Sequence, residues 1–243
     1  AKELELAVQI QTNLLPKDKL VLNSLDLAGG LIPATEVGGD AFDYIKSNDN
    51  QYITYLGDVT GHGVPAGIVS SIVNSLMYSF RTQVDLILMV KQLNDVLRRK
   101  ISQKVFVTMA LTLWTEDTRT LTYANAGHPP VLYYDSATKK VIDVRLQGMA
   151  IGMLEDVEKL IKTQQFTIKP GDVFVMYSDG IVEANNPAKE QFGLAKLKMV
   201  VQDAAIEDKP AEIIKNIILS NIIEHIAGSE YLDDMTVVVM KGK

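Results

Sequence analysis

Four aspartates lie beside glycines or turn formers at the ends of strand-like segments. Asp40 follows Gly38-Gly39, and Asp58 sits in Gly57-Asp58-Val59-Thr60-Gly61-His62-Gly63. Asp179 lies in Ser178-Asp179-Gly180, and Asp233 opens Asp233-Asp234-Met235-Thr236. Carboxylates flanked by the carbonyls of tight turns suit a hard cation such as Mg²⁺ or Mn²⁺. Gathering four of them without counter-charge is costly, since at ~4 Å and an effective dielectric near 20 each like pair repels by about 4 kcal/mol. If they converge they should hold cations, and two divalent ions would suit the charge. The alternative is that each Asp acts alone as a turn former or helix cap, a role the residue favours anyway.

The elements that must position these groups are read from periodicity. Residues 3–15 read as a helix ended by Pro16. Its apolar rows, Leu6-Ile10-Leu14 and Leu4-Val8, suit either its own domain or a partner chain. Segments 25–33, 41–45 and 51–56 read as strands, the last two forming a hairpin that returns Asp58 to the neighbourhood of Asp40. Helical spacing follows across 69–80 and 86–97. Short strands at 106–114, 121–126 and 131–134 have no helix between them, which indicates antiparallel sheet and argues against a nucleotide-binding βαβ unit. Strands at 166–168 and 173–177, helices near 193–205 and 210–226, and a final strand at 237–240 complete the chain. In this reading Asp43 is a solvated strand residue. His62 structures its loop, His128 is a packed turn residue, and His225 is a core or surface histidine.

Composition narrows the function classes. The 243 residues, 47% hydrophobic and 22% charged, support one large core after a short N-terminal helix. The net charge of −6 argues against a nucleic-acid binder. With no cysteine there is no disulfide or thiolate zinc site, which fits a reducing compartment, and the cytoplasm is expected. No apolar run approaches the ~20 residues of a membrane span, and no signal peptide is evident. The chain starts at Ala1 rather than methionine, consistent with a piece of something longer.

Taken together, Gly38-Gly39-Asp40, the Gly57–Gly63 loop, Ala126-Gly127-His128-Pro129-Pro130, Ser178-Asp179-Gly180 and Asp233-Asp234-Met235-Thr236 resemble the blocks of the metal-dependent type-2C protein phosphatases. Ile10-Gln11 to Pro16, and Glu183-Ala184-Asn185 to Phe192-Gly193, are similar to the bacterial SpoIIE/RsbU-like branch. The resemblance implies an α+β fold, a four-layer αββα sandwich of two antiparallel sheets flanked by helices. It divides the chain into a linker or dimerisation helix, 1–16, and a phosphatase domain, 17–243. It implies two Mn²⁺ or Mg²⁺ ions, with Asp58 bridging, Asp179 and Asp233 on the first, and Asp40 with the Val59 carbonyl on the second. Asp43, Thr60, His62, Gly180 and Asp234 would stand around those ligands.

The implied reaction is hydrolysis of phosphoserine or phosphothreonine on a partner protein by a water shared between the ions. The implied substrate is a STAS-type anti-sigma-factor antagonist. An upstream sensor or receiver domain is implied, and homodimer pairing through residues 3–15 stands as the alternative to packing of that apolar helix on its own domain. Two departures concern proton delivery and phosphate grip: Thr60 stands where eukaryotic members of the resembled family have His, and Thr35 where they have Arg. A catalytically silent phosphoprotein-binding module and a small-molecule phosphomonoesterase are the alternatives.

Overall fold

The computed structural model describes residues 2–16, 20–101 and 104–243. Residues 17–19, where the phosphatase domain was expected to begin, lie outside the described residues. The chain divides into two compact units, one of Ala1–Asp18, Thr35–His128 and Leu146–Thr167, the other of Lys19–Ala34, Pro129–Arg145 and Ile168–Lys243.

The first unit holds α1 (Lys2–Leu14), the hairpin strands β2 (Asp40–Lys46) and β3 (Gln51–Val59), α2 (Val64–Ser79), α3 (Leu86–Lys100), β4 (Val107–Thr115), β5 (Thr120–Ala126) and β8 (Thr163–Thr167). Its five strands form an antiparallel sheet in the order β2-β3-β4-β5-β8. Pro65 lies in the first turn of α2, where its missing N–H costs nothing. Asp85 caps α3 by accepting from the Ile87 and Leu88 amides at 2.9 and 3.1 Å. The apolar stripes of both helices meet β3 and β4 side chains in one core containing Val69, Val73, Met89, Leu93, Ile53 and Leu111. Each such aliphatic side chain contributes roughly 1.5–3 kcal/mol by leaving water.

The second unit holds β1 (Leu25–Ile32), β6 (Val131–Asp135), β7 (Lys140–Val144), β9 (Val173–Tyr177), α4 (Asp179–Glu183), α5 (Leu194–Ile206), α6 (Ala211–Ile226) and β10 (Met235–Gly242). Its antiparallel sheet runs β1-β10-β9-β6-β7. Ile214, Ile218 and Ile222 bury the inner side of α6 in this unit's core with Val201, Val237 and Val239. Pro210 cannot cap α6 through its side chain; the carboxylate of Asp26 in β1 instead accepts from the Ala211 amide at 2.8 Å.

Two antiparallel sheets flanked by helices are the architecture expected. Three local differences have physical causes. β7 escaped the periodicity reading because it is a short edge strand after an Asp135 turn and alternates only weakly. β8 begins at Thr163 rather than 166 because its outer positions are polar and exposed, as suits a sheet edge. Asp179 opens the five-residue helix α4 instead of standing in an extended strand exit.

Candidate metal centre

The turn before β2 and the end of β3 bring Asp40 and Asp58 face to face, as direct partners in the β2–β3 register. Asp40 is buried at 3% exposure and Asp58 is half-buried. Like charges directly opposite across a strand pair oppose pairing, so the placement favours a cation beside them. Asp58 thus belongs to the last hydrogen-bonded stretch of β3 rather than to the loop proper.

Gly39 explains the close packing there. A Cβ at this position would lie 2.7 Å from the Val59 carbonyl oxygen and 3.3 Å from that of Gly61. The Val59 amide also donates to the Gly39 carbonyl at 3.4 Å. The result is an all-oxygen set of two carboxylates and the nearby Val59 carbonyl, which suits a hard divalent ion. Beyond it the loop turns through Gly61 and Gly63, with φ of 95° and 75°.

Thr60 is engaged structurally: its amide and hydroxyl bond the carbonyl and amide of Phe106, each at 3.0 Å. His62 is exposed in the glycine loop. Asp43, three residues beyond Asp40, faces Tyr55 in the register. Burial pushes its carboxyl up to about 6, against opposing bonds from the Tyr44 amide and Asn74. Asn74 also donates to the Tyr55 hydroxyl at 2.8 Å and to the Leu14 carbonyl at 3.2 Å, tying this polar group to the end of α1.

In the second unit, Asp179 and Asp233 lie on adjoining backbone. A Cβ on Gly180 would fall 2.1 Å from the Asp234 carbonyl oxygen and 3.3 Å from the Asp233 carbonyl carbon. Only glycine therefore lets the start of α4 rest on the Asp233-Asp234 peptide. Burial raises the Asp179 carboxyl above its ordinary range, and Glu183 one turn later adds to the effect. A cation would relieve both. Asp233 accepts from the Asp234 amide at 2.8 Å, while buried Asp234 accepts from the Ala34 amide at 2.8 Å. Asp234 thus locks β10's entrance to the end of β1. The Ser178 hydroxyl bridges the same junction, donating to the Asp234 carbonyl at 3.1 Å and accepting from the Thr236 amide at 2.9 Å.

The candidate ligands therefore come as two acidic pairs, one per unit. Among the described residues, no group of three or more Asp, Glu or His side chains forms a ready-made cage. The other histidines have packing roles: His128 is buried, with Nδ1 2.9 Å from the Thr108 hydroxyl and its backbone held by Asn125. His225 meets Phe192 edge-on at 5.3 Å.

A contact that periodicity did not disclose joins α1 to the acidic loop. The Gln11 amide donates to the Gly38 carbonyl at 2.6 Å and accepts from the Gly38 amide at 3.0 Å. Gly67 of α2 sits against the same turn, where a Cβ would lie 2.1 Å from Val37 Cγ1. Gln11 occurs within a matched block, but a glutamine in an amphipathic helix carries no local sign of a long-range backbone partner.

The model of the family Stage II sporulation protein E (SpoIIE) matches residues 48–243. The chain belongs to the SpoIIE family. Among curated relatives it is 28% identical over 244 residues to the phosphoserine phosphatase RsbU of Bacillus subtilis, covering 99% of this chain and 70% of RsbU. Among solved structures, the SiaA-PP2C domain of Pseudomonas aeruginosa superposes with a TM-score of 0.84 at 20% identity, over 99% of this chain and 96% of that one. RsbX in complex with magnesium superposes with a TM-score of 0.67 at 15% identity, over 92% and 98% of the two chains. These likenesses agree with the fold of two antiparallel sheets flanked by helices.

Proposed function

We propose that this SpoIIE-family chain is a metal-dependent protein serine/threonine phosphatase. The observation that carries the reading is the register pairing of Asp40 with Asp58, with glycine backbone pressed against the Val59 carbonyl. RsbU, its relative, is named a phosphoserine phosphatase.

In this reading Asp58 would serve both of two Mn²⁺ or Mg²⁺ ions, Asp179 and Asp233 the first, and Asp40 with the Val59 carbonyl the second. Divalent ions held there supply activated water at neutral pH and neutralise charge developing on a phosphoryl group. The chain's own part is positioning. The β2–β3 register fixes two carboxylates, and the α4–β10 junction fixes the other two. Ser178, Gly180 and Asp234 hold that junction rigid, while Thr60 anchors the loop beyond Asp58. The cysteine-free sequence offers no thiolate nucleophile, in keeping with direct attack by water.

The proposed substrate is a phosphorylated STAS-type anti-sigma-factor antagonist, and the proposed setting is the cytoplasm. Among the described residues no helix is long and apolar enough to cross a membrane. Residues 1–16 act as a linker from an upstream sensor or receiver domain to the phosphatase domain, 17–243. Leu6 and Ile10, exposed on α1, provide a homodimer contact. Deleting residues 1–15 should then lower the mass seen by light scattering to that of a monomer.

The decisive assay offers a phosphoserine STAS domain and p-nitrophenyl phosphate with Mn²⁺, Mg²⁺ or EDTA, beside Asp58→Asn. Phosphoprotein turnover that needs both metal and Asp58 is expected. Binding without release would instead make the chain a silent phosphoprotein module, and release from the small ester alone would make it a phosphomonoesterase.

A further inference from the structure

Beside Asp233 the second unit carries a cavity of about 170 Å³. Its floor is apolar: Ala184, Ile226 and Met235 line it and are themselves nearly fully buried. Its rim is mixed, with Asn185, Gln191 and Glu230 supplying polar groups. Tyr231 and Leu232 complete the rim at 40% and 66% exposure, immediately before Asp233 in the chain. Gly180, next to Asp179, also lines it.

The walls are built before any ligand arrives. Residues 184–192 form a tight hairpin, with Asn185 bridging Gln191 and the Phe192 amide donating to the Ala184 carbonyl at 2.8 Å. The other wall leaves α6 through Ala227 and Gly228, both at positive φ, and is pinned by the Ser229 amide on the Ile226 carbonyl at 2.9 Å. Pockets that enclose whole small molecules run to about 300–1,000 Å³, so this one is sized for a single side chain. Tyr231 and Leu232 stand exposed next to a candidate metal ligand, where an entering side chain would cover them.

We infer that this cavity is a specificity pocket for an aliphatic side chain flanking the phosphorylated residue of a protein substrate. The inference rests on the phosphatase reading for what brings the substrate there. The phosphoresidue lies toward Asp179 and Asp233, and a neighbouring leucine- or isoleucine-sized side chain enters between Tyr231 and Leu232 onto the Ala184–Ile226–Met235 floor. Asn185 and Gln191 offer amides to the peptide backbone. Glu183 and Glu230, both on the lining, repel an acidic residue at the same position.

The test uses phosphonate analogues of phosphoserine peptides, which cannot be hydrolysed. Leucine or glutamate is placed at each flanking position in turn, and affinity for the intact chain is measured with Mn²⁺ by fluorescence anisotropy. At one flanking position the leucine peptide should bind about tenfold or more tightly than the glutamate peptide. The double substitution Tyr231→Ser with Leu232→Ser should collapse that ratio toward one. Equal affinities at every position, no binding of any peptide, or a ratio unchanged by the double substitution would each overturn the pocket. Hydrolysable versions of the same peptides separate the two readings. A leucine preference without turnover supports the pocket and defeats the phosphatase reading, whereas turnover without preference does the reverse.

Discussion

Asp43 and Gly180 show how single side chains in this chain answer to surroundings that their neighbours in sequence do not reveal. The folded form holds the Asp43 proton up to about pH 6, against 3.8 for the free group. Between those values the folded chain therefore binds more protons than the unfolded one, and stability falls as pH rises through roughly 4 to 6. At about 1.4 kcal/mol per pH unit, and discounted for partial exposure, this amounts to about 1–2 kcal/mol. Asp43→Asn should flatten that decline in denaturation midpoints measured with EDTA from pH 4 to 7. The solvated-strand expectation for Asp43 thus needs qualification, since strand alternation says which side a residue takes but not how fully the other elements cover it. Gly180→Ala would drive a methyl group into the Asp234 carbonyl. It should cost about 1–3 kcal/mol or more in chemical denaturation and reduce metal-dependent turnover with it.

At the scale of elements, α1 bears on the acidic turn through Gln11. Gln11→Ala would leave the buried amide and carbonyl of Gly38 without these two bonds, at a cost of about 1–3 kcal/mol. Faster hydrogen exchange across residues 37–40 is the expected signature, and unchanged protection there would mean the clamp contributes nothing. The helices and long strands were legible because each writes its period into adjacent residues: 3.6 for α2, α3 and α6, two for β2. β7, β8 and α4 were read poorly for the same reason. Edge strands have no buried face to pattern, and a five-residue helix is too short to show a period. α6 also hides its cap, because the carboxylate that serves it comes from Asp26, far upstream.

For the whole molecule, the proposed ligand set makes a sharp thermodynamic demand. Mn²⁺ should raise the melting temperature of the intact chain, and each ion present at 100 times its Kd would add about 2.7 kcal/mol. Asp58→Asn and Asp179→Asn should each remove most of that shift. If either variant keeps the full shift, the substituted aspartate does not hold an ion.

The sequence by itself determined the chemical alphabet: oxygen donors beside glycines, a hairpin carrying two of them, antiparallel strands and amphipathic helices. Those features are local, set by turn chemistry and side-chain alternation over a few residues. Tertiary structure alone decided that Asp40 faces Asp58 in register, that Gly39 and Gly180 admit backbone where a methyl group could not fit, and that Gln11 grips Gly38. It also hollowed the pocket beside Asp233. Each of these depends on packing between segments distant in the chain, where a shift of one residue or one methyl group changes the outcome without altering any local pattern.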